Sequence, residues 1–372
     1  MTPTASGTAS HPTSRDGLLL LSFGAPDTDA DIVPFLENVT RGKPIPHDRL
    51  LEVAEHYRHL GGSSPLNEIN RQIIANVQAR LTARADEVGG ALPVYFGNRN
   101  WHPYATEAAD AMVADGIDRV FVFATSAWAG SSACRQYDED IDQMRHHALS
   151  KNHDLTVIKL SQFYDLPGFI VPTVDAVTAA AAQFPAGSTP RLVFTGHSIP
   201  NAADENSGTP ADGALYSRQV HEAARLVAER LGVRDYDVVW QSRSGNPHTP
   251  WLEPDVVDHA RALAAAGVTD LLVCPIGFIA DHTEVIWDLD TELKAATDEL
   301  GMRMVRAATV GTTEPFANLV VDLLLAARDG RPLEHLSDTV PTYGCTINGA
   351  PCFPDCCQSV RPHHRSSSLP HH

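Results

Sequence analysis

The 372-residue chain is poor in positive charge: 28 lysines and arginines stand against 46 aspartates and glutamates, a formal net charge of −18 with histidine neutral. Phosphate binding needs a basic patch, so this balance argues against a nucleic-acid partner. Long hydrophobic runs are missing too. The longest apolar stretches are strand-sized, which excludes a membrane-spanning helix, and the opening "MTPTASGTASHPTSRD" lacks the apolar region of a secretory signal. No G-x-G-x-x-G follows an apolar run and no Walker loop occurs, so the usual nucleotide fingerprints are absent. Cysteine is scarce over most of the chain; only Cys134 and Cys274 precede residue 345.

The chain is 43% hydrophobic and 20% charged, a composition that folds as a soluble globule. Its length suggests two domains. Aliphatic or β-branched runs at 18–23, 93–98, 119–125, 155–160, 191–196, 237–242, 270–276 and 303–308 read as strands. They alternate with amphipathic stretches such as "NEINRQIIANVQARLTARA". This alternation predicts an α/β protein with parallel sheets covered by helices. Eight strands close a barrel or form two open sheets of four. The connection from Gly24 to Leu92, with two helical segments, is far longer than a barrel unit needs and favours two doubly wound, Rossmann-like domains with a cleft between them. The expected divisions are a disordered leader (1–16), an N-terminal α/β domain (17–165) and a C-terminal α/β domain carrying the site (166–308). A helix and cysteine tail returning to the first domain (309–357) and a disordered end (358–372) complete the chain.

Three strand ends carry chemistry-bearing residues: His197 in "GHSIP", Arg243 in "SRSGNPHTPWLEP", and Glu284, Asp288 and Glu292 after "LLVCPIGF". Carboxylates four apart stack along one α-helical face and repel one another, which raises some of their pKa values. A solvated helix face is the ordinary reading of such a run. Here the helix opens from a buried strand, which places Glu284 where open α/β sheets bind ligands. A histidine opposite such a ladder suits a divalent metal or proton handling. "GFIADHTE" is not a zinc motif, because no second histidine follows at i+4. Trp240 and Trp251 read as core, with cleft walls as the alternative.

Five motifs, "LLLLSFGAPDTDADIVPFLENVTRGKPIP", "HYRHLGGSSPLNEINRQ", "VFTGHSIP", "WQSRSGNPHTPWLEPD" and "CPIGFIADHTEVIWDLDTE", occur in order. Through them the chain resembles the ferrochelatases, class II chelatases that insert ferrous iron into a porphyrin, over roughly residues 18–325. The resemblance implies that His197 and Glu284 form the metal-site pair for the Fe²⁺ substrate and that Asp288 and Glu292 continue an acidic track for iron or protons. Arg41, His56, Tyr57, Ser64 and Tyr137 are implied as contacts for the porphyrin, with Lys43 a weaker candidate, and Phe23 stands where some relatives have a tyrosine. "SFGAPD", "VTRGK" and the C-terminal cysteines look most like high-GC Gram-positive members, which use coproporphyrin III and yield coproheme. Protoporphyrin IX is the alternative substrate, and a non-catalytic metal or haem carrier is the rival from another class. Some members carry a [2Fe–2S] cluster. Cys134 with Cys345, Cys352 and one of Cys356 or Cys357 matches that pattern, four thiolates being the usual set. The missing signal region points to a cytoplasmic protein, and the missing membrane-binding segment suits a monomer without a stable membrane anchor, with transient contact to neighbouring haem-pathway enzymes.

Overall fold

The computed structural model describes residues 15–42, 45–244 and 248–359. Most of the expected leader and tail, and Lys43, lie outside them; Arg15 and Asp16 do not, since the first strand begins at Asp16. Strands β1 (Asp16–Ser22), β2 (Val94–Asn98), β3 (Arg119–Ala124) and β4 (Thr156–Lys159) build one parallel sheet in the order β2-β1-β3-β4. Strands β5 (Arg191–His197), β6 (Tyr236–Gln241), β7 (Asp270–Cys274) and β8 (Arg303–Arg306) build a second in the order β6-β5-β7-β8. Both sheets therefore reverse direction beside their first strand, between β1 and β3 and between β5 and β7.

The strands are continuous apolar runs because helices cover both faces of a parallel sheet. In β1, Leu18 to Leu21 are all buried; in β5, Leu192 to Thr195 are. A ninth strand, β9 (Thr346–Ile347), pairs antiparallel with β4 and extends the first sheet to five strands. The sequence pattern missed it, because two residues carry no periodicity.

The long β1–β2 connection holds three helices of three or more turns, α1 (Asp29–Val39), α2 (His47–His59) and α3 (Leu66–Ala83), where the sequence suggests two. The α1–α2 pair packs about its own cluster of Ile32, Phe35, Leu36, Leu50 and Ala54, whereas α3 joins the main core. That core runs through both halves, with Phe123, Trp128, Phe163, Phe194, Tyr216 and Phe316 in one cluster. A hydrophobic seam of this kind resists relative motion of the halves. The helix Glu314–Asp329 returns to the first half beside α3, where Arg80 pairs with Glu314 at 2.6 Å and Arg84 with Asp322 at 2.7 Å. No helix of the described residues is long and apolar enough to cross a membrane.

Candidate active site

His197 ends β5 and Glu284 follows β7, two hydrogen-bonded neighbours between which the strand order reverses. Such a reversal leaves a crevice at the strand C-termini. The loop after β7 crosses the end of β5 very closely: Gly277 N–H donates to the Thr195 carbonyl at 2.9 Å, and a Cβ on Gly277 would stand 2.7 Å from Gly196 Cα. From the first half, Trp128 Nε1–H donates to the Gly277 carbonyl at 2.9 Å.

His197 Nε2 lies 3.6 Å from Glu284 Oε2, and the two side chains are 35% and 47% exposed, so the pair forms an open edge of the cleft. His197 Nδ1 lies 2.6 Å from the Ser198 carbonyl, which can only accept; Nδ1 therefore carries a proton and Nε2 faces Glu284. Tyr216 O–H donates to the His197 carbonyl at 2.7 Å and fixes the strand end. Burial works to lower the His197 pKa, but the Glu284 carboxylate and the Ser198 carbonyl outweigh it and hold the imidazole above its ordinary value. The converse holds for Glu284: burial works upward, and His197, with His282 and His56 behind it, pulls the carboxyl below its ordinary value.

The acidic ladder is not a regular α-helix. One α-turn, Thr283–Val285, opens into π-helix over Ile286–Leu293. The i→i+5 register of a π-turn, a form frequent at functional sites, is wider than the expected one but still keeps residues four apart near one face. Val285, Leu289 and Leu293, all fully buried, anchor the adjoining face. Each carboxylate has its own partner. Asp288 accepts from Ser242 Oγ and from Gln241 Nε2, the latter at 3.2 Å, and Glu292 accepts from Trp287 Nε1 at 2.9 Å. Burial, then the charge of Glu284, push the Asp288 pKa up to about 7 against the Ser242 and Gln241 hydrogen bonds. Arg306 of β8 braces the segment by pairing with Asp281 at 3.0 Å and with Asp290 at 2.7 Å.

The candidate substrate contacts divide into two groups. His56 and Tyr57 of α2 reach the ladder. His56 stacks on Trp287 with ring centroids 3.8 Å apart and planes 5° from parallel, and the Tyr57 hydroxyl pKa is raised by burial and by the Glu284 charge. Ser64 is buried, with Oγ 3.4 Å from Thr283 N, so it braces the head of the Glu284 helix. Tyr137 is buried in the outer core of the first sheet beneath the Arg99 guanidinium, 4.8 Å from its ring centre. Arg41 stands exposed just past α1, and Phe23 is exposed and edge-on to Phe35. Trp240 is buried in β6. Sequence reasoning missed Trp287, Ser242, Tyr216, His282 and Arg306; the "DHTEVIWDLD" string holding two of them was available, but a tryptophan beside buried positions reads as core.

A ferrochelatase family model matches residues 15–328. The chain belongs to the ferrochelatase family. Coproporphyrin III ferrochelatase of Corynebacterium diphtheriae is 53% identical over 358 residues, covering 94% of this chain and 96% of the relative. The enzyme of that name from Mycolicibacterium smegmatis is 52% identical over 347 residues, covering 92% and 99%. Among solved structures, SirB from Bacillus subtilis with Fe³⁺ is similar at a TM-score of 0.48 and 13% identity, over 86% of this chain and 100% of that one.

The sequence resemblance leads to the expectation of a [2Fe–2S] cluster on the C-terminal cysteines and Cys134. Among the described residues no three His, Cys, Asp or Glu side chains converge where one metal ion would sit. The thiols form a chain instead: Cys352 Sγ lies 3.3 Å from Cys356 Sγ, Cys356 contacts Cys357, and Cys357 contacts Cys134. Backbone N–H groups of Gly130 and Gly208 donate to Cys357 Sγ at 3.2 and 3.3 Å, while the Cys134 and Cys356 contacts and burial push the Cys357 thiol pKa up. The Cys357 contact and the nearby Lys159 charge, against burial, lower the Cys134 thiol to about 7. The set that gathers is therefore Cys134, Cys352, Cys356 and Cys357. Cys356 and Cys357 are both buried, and Cys357 takes a left-handed backbone conformation, φ 49°. Cys345, expected among the ligands, is exposed and outside the sulfur chain. Cys274 is buried in β7 with its thiol pKa raised by burial alone.

Proposed function

We propose that the chain inserts ferrous iron into coproporphyrin III to give coproheme, with His197 and Glu284 as the reacting pair. The observation that carries this is their 3.6 Å approach at the reversal point of the second sheet, open to the cleft. Metallation replaces two pyrrole N–H protons by one Fe²⁺, so the site must accept two protons while a hydrated cation sheds water. In its neutral form, with Nδ1–H held by Ser198, His197 offers the Nε2 lone pair to a pyrrole proton, and the raised pKa lets the imidazole keep it. Glu284, kept ionised, attracts the cation or takes the second proton. Asp288, titrating near neutral pH, passes protons outward or receives iron, and Glu292 marks the outer end of that track. The named relatives at 53% and 52% identity support coproporphyrin III over protoporphyrin IX as the porphyrin.

The expected [2Fe–2S] cluster would draw on Cys134, Cys345, Cys352 and one of Cys356 or Cys357, but among the described residues no three of these side chains converge on one metal position. Such a group supplies one-electron redox chemistry, which insertion itself does not use, since iron and porphyrin keep their oxidation states. What these cysteines do is hold the C-terminal tail against the helix that follows β3. Anaerobic insertion of Fe²⁺ into coproporphyrin III and protoporphyrin IX, followed side by side through the Soret and visible bands, tests the assignment. Repeated, faster turnover of coproporphyrin is expected. Faster protoporphyrin turnover overturns the substrate, and stoichiometric binding without turnover makes the protein a carrier.

A further inference from the structure

Arg306 is the last residue of β8, and its side chain is only 15% exposed. Its planar fork meets two carboxylates at once. Nη1 and Nη2 donate to Asp281 at 3.0 and 3.1 Å, while Nε and Nη2 donate to Asp290 at 2.8 and 2.7 Å. Asp281 precedes the turn that carries Glu284, and Asp290 lies two residues past Asp288 within the π-helix. One guanidinium thus ties the entry of the ladder to its middle and both to β8, the neighbour of β7. It also offsets two of the five carboxylates that fall between residues 281 and 292.

A π-turn closes on i→i+5 where an α-turn closes on i→i+4, and π-helices are rare, so something must hold this one. Apolar packing does not choose between the two forms, because Val285, Leu289 and Leu293 recur every four residues and fit either. Polar contacts do choose. A return to α-register would rotate Asp288 and Asp290 about the axis relative to Glu284, taking Asp290 off Arg306 and Asp288 off Ser242 and Gln241. The segment is therefore gripped from β6 through Asp288 and from β8 through Asp290, the two edge strands of the second sheet. We propose that Arg306 is a positioning residue for metallation, holding residues 286–293 in π-register so that Asp288 stays in line with Glu284 and His197. This rests on the function proposed above and adds to it the device that aligns the acidic track. Arg306 acts through its two aspartates, not on the reacting atoms.

The test is anaerobic Fe²⁺ insertion into coproporphyrin III by wild type, Arg306→Lys, Arg306→Gln and Asp290→Asn, with kcat and the porphyrin KM resolved separately and Tm recorded for each. Lysine keeps the charge but, as a point donor, cannot fork between two carboxylates. Both Arg306 variants are expected to lose about tenfold in kcat, and Asp290→Asn about threefold, while KM for the porphyrin stays at its wild-type value. If the Arg306 variants do not fold, Asp290→Asn alone decides. Wild-type kcat and KM beside a lowered Tm would make the clamp structural only and overturn the proposal while leaving the proposed activity in place, as would a raised porphyrin KM with kcat unchanged. Wild-type protein that turns over neither coproporphyrin III nor protoporphyrin IX rejects that activity and the positioning role with it.

Discussion

The parallel strands of the two sheets repeat one topology, β2-β1-β3-β4 and β6-β5-β7-β8, yet the pair proposed to react is on the second alone. At the reversal point of the first sheet the chain leaves β1 through Phe23 and Gly24 and leaves β3 through Thr125 and Ser126, none of them ionisable near neutral pH. At the equivalent point of the second sheet stand His197 and, one loop further, Glu284. The shared topology creates two reversal points, and only the second carries a histidine and a carboxylate in contact. Topology locates a site; only side chains give it chemistry.

Removing the pair should have the largest effect. His197→Ala should lower metallation by about 10³-fold, the scale of a lost general base, and Glu284→Gln by a similar factor, while porphyrin binding, read by fluorescence quenching, persists. Near-wild-type rates in both would move the reaction away from the second sheet. Next comes the scaffold of that reversal point: Gly277→Ala drives a methyl against Gly196 Cα, and overpacking of this kind costs about 2–3 kcal/mol, measurable as a fall in Tm.

Asp288→Asn should slow turnover by about tenfold, an effect of about 1.4 kcal/mol, and flatten the rise of activity with pH near 7. It should also change stability in a defined direction. Asp288 has a folded pKa above its unfolded value, so the folded chain binds the extra proton between about pH 4 and 7, and stability falls as pH rises through that window. The asparagine variant should therefore gain on wild type at pH 8 relative to pH 5. In the first half, Phe23→Tyr should leave turnover within about threefold, since Phe23 makes no contact with the pair. Smallest of all, Arg80→Ala should cost less than about 1 kcal/mol, because the Glu314 partner is largely exposed.

The eight main strands were legible because buried parallel strands are written as apolar runs, and each observed strand begins and ends within a few residues of its run. The pair His197 and Glu284 was legible as strand-end residues. The π-register was not: a four-residue spacing of both carboxylates and buried aliphatics fits either helix. Ser64 in "GGSSP" and Tyr137 in "CRQY" read as surface contacts, but burial, which no local string reveals, turns both inward. Trp287 could be placed only by knowing that α2 crosses to meet it, a contact between residues more than two hundred positions apart.

The first sheet gains its last strand from residues 346 and 347, and the helix Glu314–Asp329 lies against α3. The half that begins the chain is thus finished by its end. During synthesis the second sheet, complete once β8 emerges, has every strand in hand, while β4 waits as an open edge until some forty residues more have been made. A nascent chain of this protein passes through a stage in which the second sheet is assembled and the first is not. Truncation before Thr346 would hold it there, with one exposed strand free to pair with another chain.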